Sequence, residues 1–195
     1  ARGGAPAGAA SPWLVPGRPS AAFAADAPAG RALAAVLLDH VDAMEANLAG
    51  AIADIDTEYL HDLRVAVRAT RSLIKLAGDA LPTGVAEAYR LRWRDVGQLT
   101  APTRDLDVLL LAMDGLDGSV DVAGIDGLGP YRSWLMTRRR SEFALLRKAL
   151  SAPEFAALLD QWRAALDPAA HTADGPGIAE LARARVARAR KRALK

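Results

Sequence analysis

Residues 59–76 can bury an apolar face in only one regular conformation. Leu63, Val67, Thr70 and Ile74 recur at helical spacing, whereas a strand would scatter them over both of its faces. On that helix His61, Arg64, Arg68, Arg71 and Lys75 fall at i, i+3, i+7, i+10 and i+14, and at ~100° per residue they share one stripe of roughly 80° on the opposite side. Exposed helix faces ordinarily mix signs, with acids and bases paired at i,i+4. Here Asp62 is the only acid between residues 59 and 76, and it points away from the stripe. Four fixed like charges repel one another unless something anionic neutralises them, so the stripe reads as an anion-binding surface. The alternative is a solvated basic face, and the missing acids argue against it.

The rest of the chain is also helical in pattern. Leu33, Leu37, Val41, Met44 and Leu48 supply a first helix from Ala29 to Ile55, with Asp39, Asp42 and Glu45 as an acidic face and His40 as a surface residue. Thr57 or Asp56 caps the second helix, and Glu58 favours its first turn. A third helix starts near Val85, is interrupted at Gly97 and Pro102, and resumes through the apolar residues Leu106 to Met113. Asp114 to Gly129 reads as a loop. Further helices cover Tyr131 to Leu150, the stretch from Pro153 to Leu166 before Pro168, and Ile178 to the end. No stretch sustains period-two alternation, so the fold class is all-α. The first 28 residues, rich in Ala, Gly and Pro, read as a linker, and residues 29–195 as the helical domain.

Charge is distributed in blocks. Residues 32–63 hold seven acids and no Lys or Arg, residues 64–104 eight bases against three acids, residues 105–131 six acids and no base, and residues 132–195 fourteen bases against six acids. Of the 25 bases 21 are arginine, whose planar fork suits phosphate oxygens. The last helix repeats the stripe, with Arg185, Arg188, Arg192 and Lys195 at i, i+3, i+7 and i+10. By the same helical spacing Arg90 and Arg94 join the candidate site from the third helix.

Several chemistries are absent. With no cysteine there is neither a disulfide nor a thiolate nucleophile. No phosphate-cradling glycine loop, dinucleotide fingerprint or His-Glu-x-x-His helix occurs, and three dispersed histidines make no metal site. Asp105 and Asp107 splay to different sides of a helix, and Asp105 beside Arg104 reads as a structural ion pair. The chain is therefore expected to be a binding module, not an enzyme, with no metal and no cofactor. No run of 18 apolar residues and no signal peptide occurs, which together with the lack of cysteine points to the cytoplasm. The missing initiator Met suggests a fragment of a longer protein.

His61-x-Leu63-Arg64-Val65-x-x-Arg68-x-x-Arg71-Ser72, followed by Arg104-Asp105-Leu106-Asp107-Val108-Leu109, resembles the CHAD domain, the conserved histidine α-helical domain. Leu150-Ser151-Ala152-Pro153-Glu154-Phe155 and the Arg-rich last helix match its layout, so that the resemblance covers residues 29–195. It implies antiparallel helices in two four-helix-type bundles with approximate internal symmetry, basic side chains along a central channel, and binding of inorganic polyphosphate. It also implies a neighbouring CYTH triphosphatase-like domain, to which the first 28 residues would be the tether. His61, Arg64, Arg68 and Arg71 match the motif helix and Arg104 the Arg-Asp motif. Two departures stand out. Thr100-Ala101-Pro102-Thr103 replaces a stretch in which many members carry glycine. The chain also stops at Lys195, about where a second His-x-x-Arg helix would begin.

The leading expectation is thus a polyphosphate-binding module, in the cytoplasm and at polyphosphate granules. The incomplete second bundle predicts exposed apolar surface, hence a homodimer or a completing partner segment. The alternative is a nucleic-acid-binding helical protein. Single-strand binders interleave exposed aromatics with bases, whereas Tyr89, Trp93, Trp134, Phe143, Phe155 and Trp162 read as core. A Mg²⁺-dependent phosphohydrolase using Asp105 and Asp107 is the third and weakest reading.

Overall fold

The computed structural model describes residues 22–116 and 128–193. The elements in chain order are α1 (Ala29–Ala53), α2 (Thr57–Ala77), a 3-10 turn (Gly78–Ala80), α3 (Val85–Leu116), α4 (Gly129–Leu150), α5 (Pro153–Ala170) and α6 (Ile178–Ala193). Among the described residues no strand forms, and a single antiparallel bridge joins Pro28 to Gly177 ahead of α1 and α6.

Helix ends follow local chemistry. Asp54 closes α1 in the left-handed conformation at φ 53°, and two residues later the Asp56 side chain accepts the Glu58 amide at 3.0 Å to open α2. The two helices therefore fold back on each other across a very short connection. α1 lies between α2 and α5, α2 packs on α3, and α3 on α4. Leu37, Val41 and Met44 of α1 share one core with Leu63, Val67 and Ile74 of α2. α3 adds Trp93 and Val96, α4 Leu146 and Leu150, and α5 Phe155, Leu159, Trp162 and Leu166. Trp162 meets Tyr89 at 4.6 Å between ring centroids and Trp93 edge-on at 6.1 Å, locking α5 to α3. Each fully buried Leu or Val contributes about 1.5–3 kcal/mol, so this core is the main term holding the α2 stripe in place.

Several expectations are corrected. First, α3 is not interrupted. It runs through Gly97 and Pro102 because Val96, Thr100, Thr103 and Asp107 are all buried along one face, and tertiary packing outweighs one missing backbone hydrogen bond. α5 crosses Pro168 in the same way, with Leu166 and Ala169 buried on either side. Second, α3 extends to Leu116 and α4 begins at Gly129, so residues 117–128 of the expected loop are left, of which 117–127 lie outside the described residues. Third, His40 is buried rather than on the surface, sharing a 3.2 Å hydrogen bond between its Nδ1 and Thr70 Oγ1. Fourth, Trp134 is 59% exposed and stacks on the exposed Tyr131, with centroids 5.9 Å apart. The other aromatic residues named as core are buried or half-buried.

A candidate anion-binding cleft

The α2 stripe faces α3. His61, Arg64, Arg68 and Arg71 of α2, with Val65 and Val67, line a cleft of about 180 Å³ whose far wall is Gly97, Thr100 and Arg104 of α3. The wall residues stand at i, i+3 and i+7, one face of α3. Five expected site residues are thereby brought together from two helices.

Each basic group is held differently. Arg64 is half-buried, and its Nη1 donates to Thr100 Oγ1 at 2.8 Å and to the Gly97 carbonyl at 3.3 Å. The buried Thr100 hydroxyl in turn donates to the Val96 carbonyl at 3.0 Å. Burial draws the Arg64 guanidinium below its ordinary pKa, Asp105 opposes this, and Arg104, Arg68 and Arg71 add to it. Arginine nonetheless stays charged at any physiological pH. Arg104 donates to the Thr57 carbonyl at 3.1 Å and lies 3.6 Å from a Glu58 carboxylate oxygen. It does not pair with Asp105, which is exposed; its partner comes from the start of α2 instead. Arg68 and Arg71 are exposed, and no carboxylate forms an ion pair with His61, Arg64, Arg68, Arg71 or Lys75 among the described residues.

The remaining candidates stand outside the cleft. Lys75 is exposed further along α2. Arg90 and Arg94 are exposed towards the start of α3, and Arg94 is paired with Asp95. Arg185 of α6 clasps Asp79, which follows the end of α2, and this hydrogen bond first of all holds the Asp79 carboxyl below its usual value. Arg188 adds to that effect from nearby, and Arg192 is exposed on α6.

Sequence reasoning missed three parts of this region. Gly97 was legible only as a helix break and Thr100 only as part of a stretch that departs from the family pattern, although their spacing to Arg104 would have put all three on one face. The third part is a junction beside the cleft. Arg139 of α4 donates through Nε to Asp107 at 2.6 Å and through both terminal nitrogens to Asp54 at 2.7 and 2.6 Å. Burial, opposed by Arg139, pushes the Asp107 carboxyl above its usual range. Hydrogen bonding to Asp54, then to Asp107, raises the pKa of Arg139.

The cleft is built of donors. Among the described residues no group of three His, Cys, Asp or Glu side chains could hold a metal ion, and no helix is long and apolar enough to cross a membrane. What the arrangement can do is present several fixed positive charges to one anion.

The sequence profile of the CHAD domain matches residues 35–195. The crystal structure of the CHAD domain from the plant Ricinus communis is similar to this chain, with a TM-score of 0.64 and 25% sequence identity over 80% of this chain and 51% of that one. The chain thus spans about half the length of that solved structure. No curated protein matches the chain.

Proposed function

The chain belongs to the CHAD domain family, and we propose that it is a non-catalytic module that binds inorganic polyphosphate in the α2–α3 cleft. One observation carries the reading: His61, Arg64, Arg68, Arg71 and Arg104 converge on one cleft, and among the described residues the only carboxylate ion-paired to any of them is that of Glu58, beside Arg104. Arg64 and Arg104 are pre-oriented by hydrogen bonds, so less side-chain freedom is lost when phosphate arrives. Arg68 and Arg71 contribute unpaired charge along the stripe, and Lys75 extends it. Arg185, Arg188 and Arg192 offer a second stripe beyond Asp79 for a long chain to reach, while Arg90 and Arg94 are auxiliary contacts at most.

Nucleic acid is the competing ligand. Among the described residues no Phe, Tyr or Trp lines the cleft, so beyond the small His61 imidazole it offers bases no aromatic platform, which favours a ligand that is phosphate throughout. The test is a filter-binding competition between polyphosphate and single-stranded DNA over a range of salt concentrations. Polyphosphate should win, and its affinity should fall steeply with salt as condensed counterions are released, by analogy with DNA, for which each neutralised phosphate adds about 0.9 to the log–log slope. Equal competition by DNA, or a flat salt response, overturns the reading.

A further inference from the structure

Gly97 lies in the interior of α3, where glycine weakens a helix relative to alanine. It is not among the residues of positive φ, so α3 has no conformational need for it. The reason is spatial. A Cβ added at Gly97 would stand 2.6 Å from Arg71 Nη1, 3.4 Å from its Cζ and 3.6 Å from its Cδ. The Arg71 side chain therefore lies lengthwise against the bare backbone of α3, while Arg64 donates to the carbonyl of the same glycine. The three nearest atoms in the way belong to one flexible side chain.

We propose that Gly97 is a positioning residue, a notch in α3 that seats the Arg71 guanidinium on the wall of the cleft and so sets the length of anion the cleft prefers. The proposal rests on the polyphosphate reading above. His61 and Arg71 are ten residues apart, about 15 Å along the axis of α2. A chain long enough to run from the His61 end to Arg71 engages the whole series, whereas pyrophosphate engages only part of it. Displacing Arg71 shortens the site without removing any charge from the protein.

The experiment titrates long-chain polyphosphate and pyrophosphate into the wild type, Gly97→Ala, Arg71→Gln and the double variant, with a thermal melt of each. Gly97→Ala should melt no lower than wild type, since alanine favours the helix, yet bind long-chain polyphosphate about tenfold more weakly, the loss of one charge-assisted contact. Pyrophosphate binding should change less than twofold. In the Arg71→Gln background the same substitution should have no further effect, because the group it displaces is gone. Long-chain affinity within twofold of wild type overturns the proposal, as does an equal loss in the Arg71→Gln background or for pyrophosphate. A melt well below wild type also overturns it, because more than Arg71 would then occupy the notch. If the wild type binds no polyphosphate, the functional reading itself falls; if it binds and Gly97→Ala binds equally, only the present inference falls.

Discussion

The carboxylate of Glu58 stands 3.6 Å from the guanidinium of Arg104 at the rim of the cleft, on a side chain that is itself 64% exposed. If polyphosphate binds in the cleft as proposed, Glu58 competes with it for Arg104. An exposed pair of this kind is worth up to about 1 kcal/mol, so Glu58→Gln should strengthen polyphosphate binding by up to about fivefold at low salt. Titration of the variant decides; weaker binding would remove Arg104 from the site.

Arg64 and Arg68 should respond differently to truncation. Arg68 is exposed and no ion pair holds it among the described residues, so Arg68→Ala should weaken binding by about 1–3 kcal/mol and leave the melting temperature unchanged. Arg64→Met removes the donors to Thr100 and Gly97, so it should cost affinity and also about 1 kcal/mol of stability. The charge-reversed pair Arg64→Glu with Arg68→Glu should bind no polyphosphate while remaining helical by circular dichroism. Retained binding would exclude the stripe as the ligand surface.

Arg139 is expected to matter for folding and not for binding. Its removal in Arg139→Met strands the Asp107 carboxylate, which is 1% exposed. Leaving one member of a buried pair behind costs about 3–5 kcal/mol. Denaturant unfolding should show that loss, and Asp107→Asn in the same chain should recover part of it. An additive double variant would mean that the two groups are not coupled.

Stability should fall in mild acid. Burial holds His40 below its ordinary pKa of 6.5, with Asp39 opposing. As pH falls the unfolded chain takes up this proton first, so the contribution is intact above about pH 6.5 and is lost progressively below it. Melting temperatures at pH 7.5 and 5.5 should differ, and His40→Gln should reduce the difference. The Asp79 carboxyl, held low by Arg185, adds a separate loss only below its ordinary value of 3.8.

The all-helical fold was legible because its signal is periodic. Leu63, Val67, Thr70 and Ile74 declare a buried face whatever they pack against, and the same phase places His61, Arg64, Arg68 and Arg71 opposite. Pro102 and Gly97 misled because propensity is local, while the buried face from Val96 to Asp107 that holds α3 together is a property of its neighbours. Arg139 was invisible for a related reason. Its partners lie 32 and 85 residues away, and no spacing rule reaches across the fold. His40 looked like part of a polar face until its neighbour Thr70, 30 residues on, turned that face inward. Arg104 was paired wrongly with its sequence neighbour Asp105, because its guanidinium reaches across to the Thr57 carbonyl and Glu58 at the start of α2, a contact no local spacing shows.

The paired ends of α3 and α4 turn Val108, Leu109, Leu111, Tyr131, Trp134 and Met136 to solvent, and none of these residues lines the cationic cleft. These two surfaces answer to added salt with opposite sign. Screening weakens the attraction of the cleft for polyanions, while an excluded salt such as sulfate raises the cost of wetting the apolar end and drives molecules together through it. Colloidal behaviour and ligand capture are therefore separate axes for this protein. A sulfate buffer that suppresses ligand capture will promote clustering, and a fall in apparent affinity at high sulfate will carry a contribution from clustering that sodium chloride at equal ionic strength largely avoids.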